Sequence, residues 1–187
     1  MRNPNITIAK NLKSLRQKKE WSLDETSKRT GVSKAMLGQI ERGESSPTVA
    51  TLWKIANGFK ASFSHFTESE ISNKKTVIRA QKDFAKIHSK DNKIKVTSIF
   101  PYDKKLGLEI FSIELKPGSE HLSLPHHGSV IEHVIPIDGA IEIFVDNAWR
   151  KIKKGEGLRF NADKAHGYRN HSNTTVTFHN VIHYFPL

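Results

Sequence analysis

The hydrophobic pattern of this chain changes period once, between residues 67 and 76, and the change implies two separate cores. Before it, apolar residues recur every three to four positions: Ile8, Leu12 and Leu15, then Val49, Leu52, Ile55 and Ala56. One face of a helix repeats with that spacing. After it come short strand-like runs at Val77–Arg79, Ile94–Ile99, Leu108–Leu115, His133–Ile137, Ile141–Val145, Gly157–Phe160 and Thr175–His183. Turn signals such as Lys116-Pro117-Gly118, Asp138-Gly139, Asp146-Asn147 and Lys154-Gly155 separate them. Many short strands at such spacing imply a sandwich or closed barrel. Residues 67–76, TESEISNKKT, are polar and aperiodic and read as a linker. Histidine usage divides at the same place, since of ten histidines only His65 precedes residue 80. The expected organisation is multidomain α + β: a helical domain over 1–66, the linker, and an all-β domain over 77–187.

Charge narrows the partners. The chain carries 30 Lys+Arg against 19 Asp+Glu over 187 residues, and its pI near 9.8 suits a nucleic acid. The absence of cysteine excludes disulfides and thiolate metal sites, and nothing points to export. No apolar run approaches the roughly 20 residues that cross a bilayer, and no signal-peptide core opens the chain. A cytoplasmic protein without a membrane partner is expected.

Five helices are expected before residue 67: one around Ile8 to Leu15, then Leu23–Arg29, Ser33–Glu41, one opening after Thr48, and a short one over Ser62–Phe66. The stretch SKAMLGQIERGESSP, residues 33–47, is the most specific. Ser33 can cap its helix, and Gly43 and Pro47 stop it. With the preceding short helix and the turn at Gly31 it makes a helix-turn-helix, whose second helix enters the DNA major groove. Ser33, Lys34, Ala35, Gly38 and Gln39 are the candidates for base edges: Gln39 can pair with adenine, Lys34 can donate to guanine, and Ala35 suits a thymine methyl. Arg16, Lys34 and Arg42 are candidate phosphate ligands. An ion pair of Arg42 with Glu41 or Glu44 is an equal alternative. Met36, Leu37 and Ile40 are expected in the core, and Trp21 is expected to pack on the bundle.

The segments LKSLRQKKEWSLDE and TGVSKAMLGQIERGESSPTVATLWKIANGF resemble the lambda-repressor-like helix-turn-helix of the XRE family. The match spans about sixty residues, with one notable departure: Asp24 stands where the family usually has Gln, which often contacts phosphate or a neighbouring base-reading side chain. Residues 108–183 resemble a cupin through PGSEHLSLPHHGSVIEHVIPIDG and GEGLRFNADKAHGYRN, where Gly155, Phe160, His166 and Asn170 fall at family positions. The resemblance implies a double-stranded β-helix, or jelly-roll, barrel.

Cupins commonly hold a divalent metal with an H-x-H pair, a Glu and a later His. Here His126 and His127 are adjacent, and Pro125 stands at the first position of an H-x-H whose second would be His127. A Pro-His six residues before Glu132 resembles the regulator subgroup, and that resemblance implies His126, Glu132 and His166 as the ligands, with His127 the alternative first ligand and His121 a weaker one. Such a nitrogen and oxygen set suits zinc first, or nickel or iron. Arg159 and Tyr168 are candidate effector contacts. Together the two resemblances imply an XRE–cupin transcriptional regulator, similar to the subgroup concerned with sulfur or amino-acid metabolism. It would bind an operator as a homodimer and sense an amino-acid-like or sulfur-containing molecule. A metal-dependent cupin dioxygenase or isomerase with a DNA-binding head, and a barrel that only dimerises, are the competing expectations.

Overall fold

The structure is a computed structural model; it describes residues 4–68, 78–80 and 83–185. The chain divides into two compact units at Ala85/Lys86.

The first unit holds five helices: α1 (Pro4–Lys18), α2 (Leu23–Thr30), α3 (Lys34–Glu41), α4 (Val49–Phe59) and α5 (Ser64–Thr67). Their limits follow from capping chemistry. The hydroxyls of Ser22, Ser33 and Thr48 accept from the backbone N–H groups of Glu25, Met36 and Thr51 at the starts of α2, α3 and α4. Gly31, with φ of 67°, ends α2 in the left-handed conformation that glycine adopts without steric penalty. The core is built from Ile8, Leu12, Leu37, Ile40, Leu52, Ile55, Phe59, Phe63 and Phe66, all buried. Each such side chain contributes about 1.5–3 kcal/mol through its removal from water. Trp21 stacks on Phe59 at 4.8 Å between ring centroids.

Two expectations at the helical unit's edge are revised. Thr67, placed in the linker by its polarity, closes α5 and is buried. A strand was expected at Val77–Arg79; Val77 lies outside the described residues, and Ile78 and Arg79 are not in a strand. Arg79 instead donates to Glu68 at 2.6 Å.

The second unit contains β1 (Lys86–His88), β2 (Ile94–Asp103), β3 (Leu108–Leu115), β4 (Ser119–Ser123), β5 (Val130–Asp138), β6 (Ala140–Val145), β7 (Ala148–Lys153), β8 (Leu158–Asn161), β9 (His166–Asn170) and β10 (Val176–Tyr184). They form a six-stranded sheet in the order β1-β2-β3-β10-β5-β8 and a four-stranded sheet in the order β4-β9-β6-β7. Alternate residues of β3, β5, β6 and β10 are buried, as a two-residue side-chain repeat requires. Register then places chemistry inside: Glu132 on β5 pairs with Ile182 on β10 and Phe160 on β8, and Ile182 pairs with Glu109 on β3. Glu132 and Glu109 are thus two buried carboxylates in one cross-strand row.

Candidate nucleic-acid interface and metal centre

On α3 the exposed residues are Lys34, Ala35, Met36 and Gln39, with Ser33 at the cap and Arg42 just beyond. This row has the composition of a surface that reads base edges: a cation, an amide, a hydroxyl and small or flexible apolar groups. Met36 overturns its expectation, being 41 % exposed rather than core. An apolar side chain carried no sequence signal for exposure, because helical period alone placed it beside Leu37. Gly38 differs too: it is buried, and a Cβ there would stand 3.1 Å from Arg42 Nη1. Its smallness lets the Arg42 side chain lie across the helix.

The cations have local partners. Arg16 Nε and Nη2 donate to Glu41 Oε1 and Oε2 at 2.6 and 2.9 Å, and Nη1 donates to the Trp21 carbonyl at 2.9 Å. The Arg16 guanidinium thereby holds α1 to α3. Arg42 pairs with Glu44 through bonds of 2.8 and 2.7 Å, both groups exposed. Lys34 Nζ donates to Asp24 Oδ2 at 2.7 Å.

Inside the barrel, Glu132 is the hub. His126 Nε2 lies 2.8 Å from its Oε1, while Asn180 Nδ2 donates to Oε2 at 2.8 Å and the Tyr168 hydroxyl donates to the same oxygen. His166 Nε2 stands 3.4 Å from Oε1. Burial by itself would raise the Glu132 pKa, but His126 and His166 outweigh it and hold the carboxyl well below its ordinary range. Burial lowers His166, and the Glu132 carboxylate more than reverses this. Burial and the same carboxylate push the Tyr168 phenol well up, so it stays protonated and donates.

His126, Glu132 and His166 each offer a ligand atom, all within 4.8 Å of one another, and all three residues are buried. His166 supplies the test of fit. Its Nδ1 lies 2.9 Å from the Lys164 carbonyl, which can only accept, so Nδ1 carries the proton. Nε2 is buried and makes no hydrogen bond, standing 3.4 Å from Glu132 Oε1; once its proton is displaced, its lone pair points at the centre of the cluster. An unsatisfied buried polar atom costs about 1–3 kcal/mol, and a divalent cation here would satisfy it. The residues fit a metal.

His126 rather than His127 enters the cluster; His127 is exposed. The reason lies outside strand alternation: residue 126 follows β4 in irregular chain, fixed by its N–H bond to the Ala162 carbonyl at 2.8 Å. His121 on β4 pairs with Tyr168 in register and has a buried Nε2 without a hydrogen-bond partner, but it is not one of the three clustered ligands. Burial and the neighbouring His166 lower its pKa. Arg159 is exposed and shares a cleft of about 300 Å3 with Val145, Asp146, Phe160, Lys164 and His166. Tyr168 is buried on the hub itself. Asn180 escaped the sequence reading, although a polar residue in the inward phase of Val176, Phe178 and Ile182 was a usable signal.

Comparison with known proteins agrees with both halves. Residues 12–66 match the helix-turn-helix family model HTH_3, and residues 111–182 match the cupin domain Cupin_2. The chain is 48 % identical over 95 % of its length to the HTH-type transcriptional regulator SutR of Escherichia coli, covering 94 % of that protein. The chain belongs to the helix-turn-helix transcriptional regulators with a cupin domain. A crystal structure of an HTH_3 family transcriptional regulator from Vibrio cholerae is similar to it at 42 % identity, with 98 % of each chain covered and a TM-score of 0.81. The iron(II) form of HppE superposes with a TM-score of 0.51 at 12 % identity over 97 % of this chain and 100 % of that chain, which shows the fold alone. The regulator thus pairs a DNA-binding helical unit with a cupin barrel, and no helix among its described residues is long and apolar enough to cross a membrane.

Proposed function

We propose that this regulator binds its operator as a homodimer and that its barrel senses a small molecule at a divalent metal held by His126, Glu132 and His166. The observation that carries the reading is the buried His166 Nε2, which makes no hydrogen bond and stands 3.4 Å from an ionised carboxylate within the His126–Glu132–His166 cluster. A divalent cation would satisfy this atom by displacing its proton. The bound metal would supply Lewis acidity and an attachment point for an electron-rich group of the effector. Zinc suits two imidazoles and a carboxylate. Tyr168 and Asn180 orient Glu132, and Arg159 at the cleft draws the carboxylate of an amino-acid-like or sulfur-containing effector.

On the DNA side, Ser33, Lys34, Ala35, Met36 and Gln39 face the major groove, and Arg42 reaches phosphate once it leaves Glu44. A single helix-turn-helix contacts one half-site, so two copies are joined, with half-sites about one helical turn apart. The barrel acts as a cytoplasmic sensor and not as an enzyme, in keeping with whole-length relatives named as regulators. Elemental analysis and native mass spectrometry of the purified full chain test the reading. One metal per chain in a dimer supports it; a metal-free monomer that takes up no metal overturns it.

A further inference from the structure

We propose that Asp24 and Lys34 together read one G·C base pair, the lysine taking the guanine edge and the carboxylate taking the cytosine amine. Asp24 lies in the first turn of α2 and Lys34 opens α3, each just after a capping serine. Their side chains meet at 2.7 Å yet remain 63 % and 59 % exposed, respectively. An ion pair so open to water adds little to stability, so it is poorly explained as a structural clamp. What it does create is a donor and an acceptor held side by side at the leading end of the recognition helix.

That arrangement matches one base-pair edge. Across the major groove a G·C pair presents two adjacent acceptors, N7 and O6 of guanine, followed by a donor, N4 of cytosine. The Lys34 ammonium has three protons and can face both acceptors while Asp24 accepts from N4–H. An A·T pair presents acceptor, donor, acceptor and then a methyl group. There the lysine would meet the N6 donor and the carboxylate would meet the O4 acceptor, two repulsive contacts. Discrimination comes from mismatch as much as from match. A carboxylate beside a phosphate is repelled, which also argues that Asp24 faces bases. The inference rests on α3 entering the groove, as proposed above.

The test uses the full chain and a library of randomised DNA duplexes, followed by titration of the selected duplex with each base pair substituted in turn. The wild type is expected to prefer G·C about tenfold or more at one symmetric position in each half-site. Asp24→Asn should lose about tenfold of that preference and move it toward A·T, because asparagine pairs with adenine. Lys34→Ala should lose the guanine preference, and 7-deazaguanine at that position should weaken binding by the unmodified protein, a readout independent of variant folding. Retained G·C preference in Asp24→Asn, with uniformly tighter binding and a steeper salt dependence, would reduce Asp24 to a charge near phosphate and overturn the inference. Gln39→Ala separates the two levels. If it alters discrimination elsewhere in the half-site while Asp24→Asn alters none, the groove reading survives and the paired reader fails; if it alters nothing, both fail.

Discussion

Arg16 on α1 grips Glu41 on α3 through two parallel hydrogen bonds of 2.6 and 2.9 Å, and so fixes the recognition helix from behind. The two side chains are only 17 % and 7 % exposed, which screens them little. Arg16→Ala leaves a nearly buried carboxylate unpaired and is expected to destabilise the helical unit by about 2–3 kcal/mol, read by denaturant unfolding. DNA affinity should fall equally on every sequence. Unchanged stability with a shallower salt dependence of binding would instead make Arg16 a phosphate ligand.

Gln39 is exposed one turn along the face that begins at Lys34. Gln39→Ala should cost about 1–3 kcal/mol of discrimination at a single base pair, with adenine preference lost there. Titrating a duplex series with one pair varied at a time measures it. Equal weakening on all duplexes would move Gln39 from base reading to backbone contact.

The helices were legible because caps and period agree: Ser33, Thr48 and Gly31 each mark a boundary that the structure keeps. Period could not reveal that Met36 is exposed, since an apolar side chain looks the same facing core or groove. The barrel was legible as alternating strands, but alternation says nothing of irregular chain, where His126 and His127 sit. The choice between them rests on a backbone bond to Ala162, a residue far away in sequence. The Arg16 ion pair was hidden for the opposite reason: its partner Glu41 is twenty-five positions on in sequence.

The barrel cluster gives a third expectation. His166→Ala should abolish stoichiometric metal, whereas Tyr168→Phe, which removes the hydroxyl's bond to Glu132 and the long one it accepts from Asn180, should weaken metal about 10- to 100-fold while leaving one site per chain. Competition against a chromophoric chelator measures both. Full metal content in His166→Ala would show that the ligand set is wrong.

Metal uptake should also depend on pH with a definite sign. In the metal-free protein burial lowers the His166 pKa and the Glu132 carboxylate raises it further, for a net upward shift. The ring therefore stays protonated above the ordinary imidazole value of about 6.5, and metal must displace that proton. Apparent affinity should rise with pH through this window, by up to about tenfold per unit for one displaced proton. Calorimetry in buffers of different ionisation enthalpy should register the release; affinity that does not change between about pH 6 and pH 8 would contradict it.

The most direct measurement is operator affinity of the full chain, by fluorescence anisotropy, in the metal-loaded and chelator-treated states, for wild type and His166→Ala. A sensing barrel must bias the DNA-competent state, and coupling of this kind typically changes affinity by about 5- to 150-fold. The expected result is a shift of at least about fivefold in the wild type and none in His166→Ala. Superimposable isotherms for loaded and stripped wild type would contradict a metal-dependent sensor and leave the barrel as a scaffold.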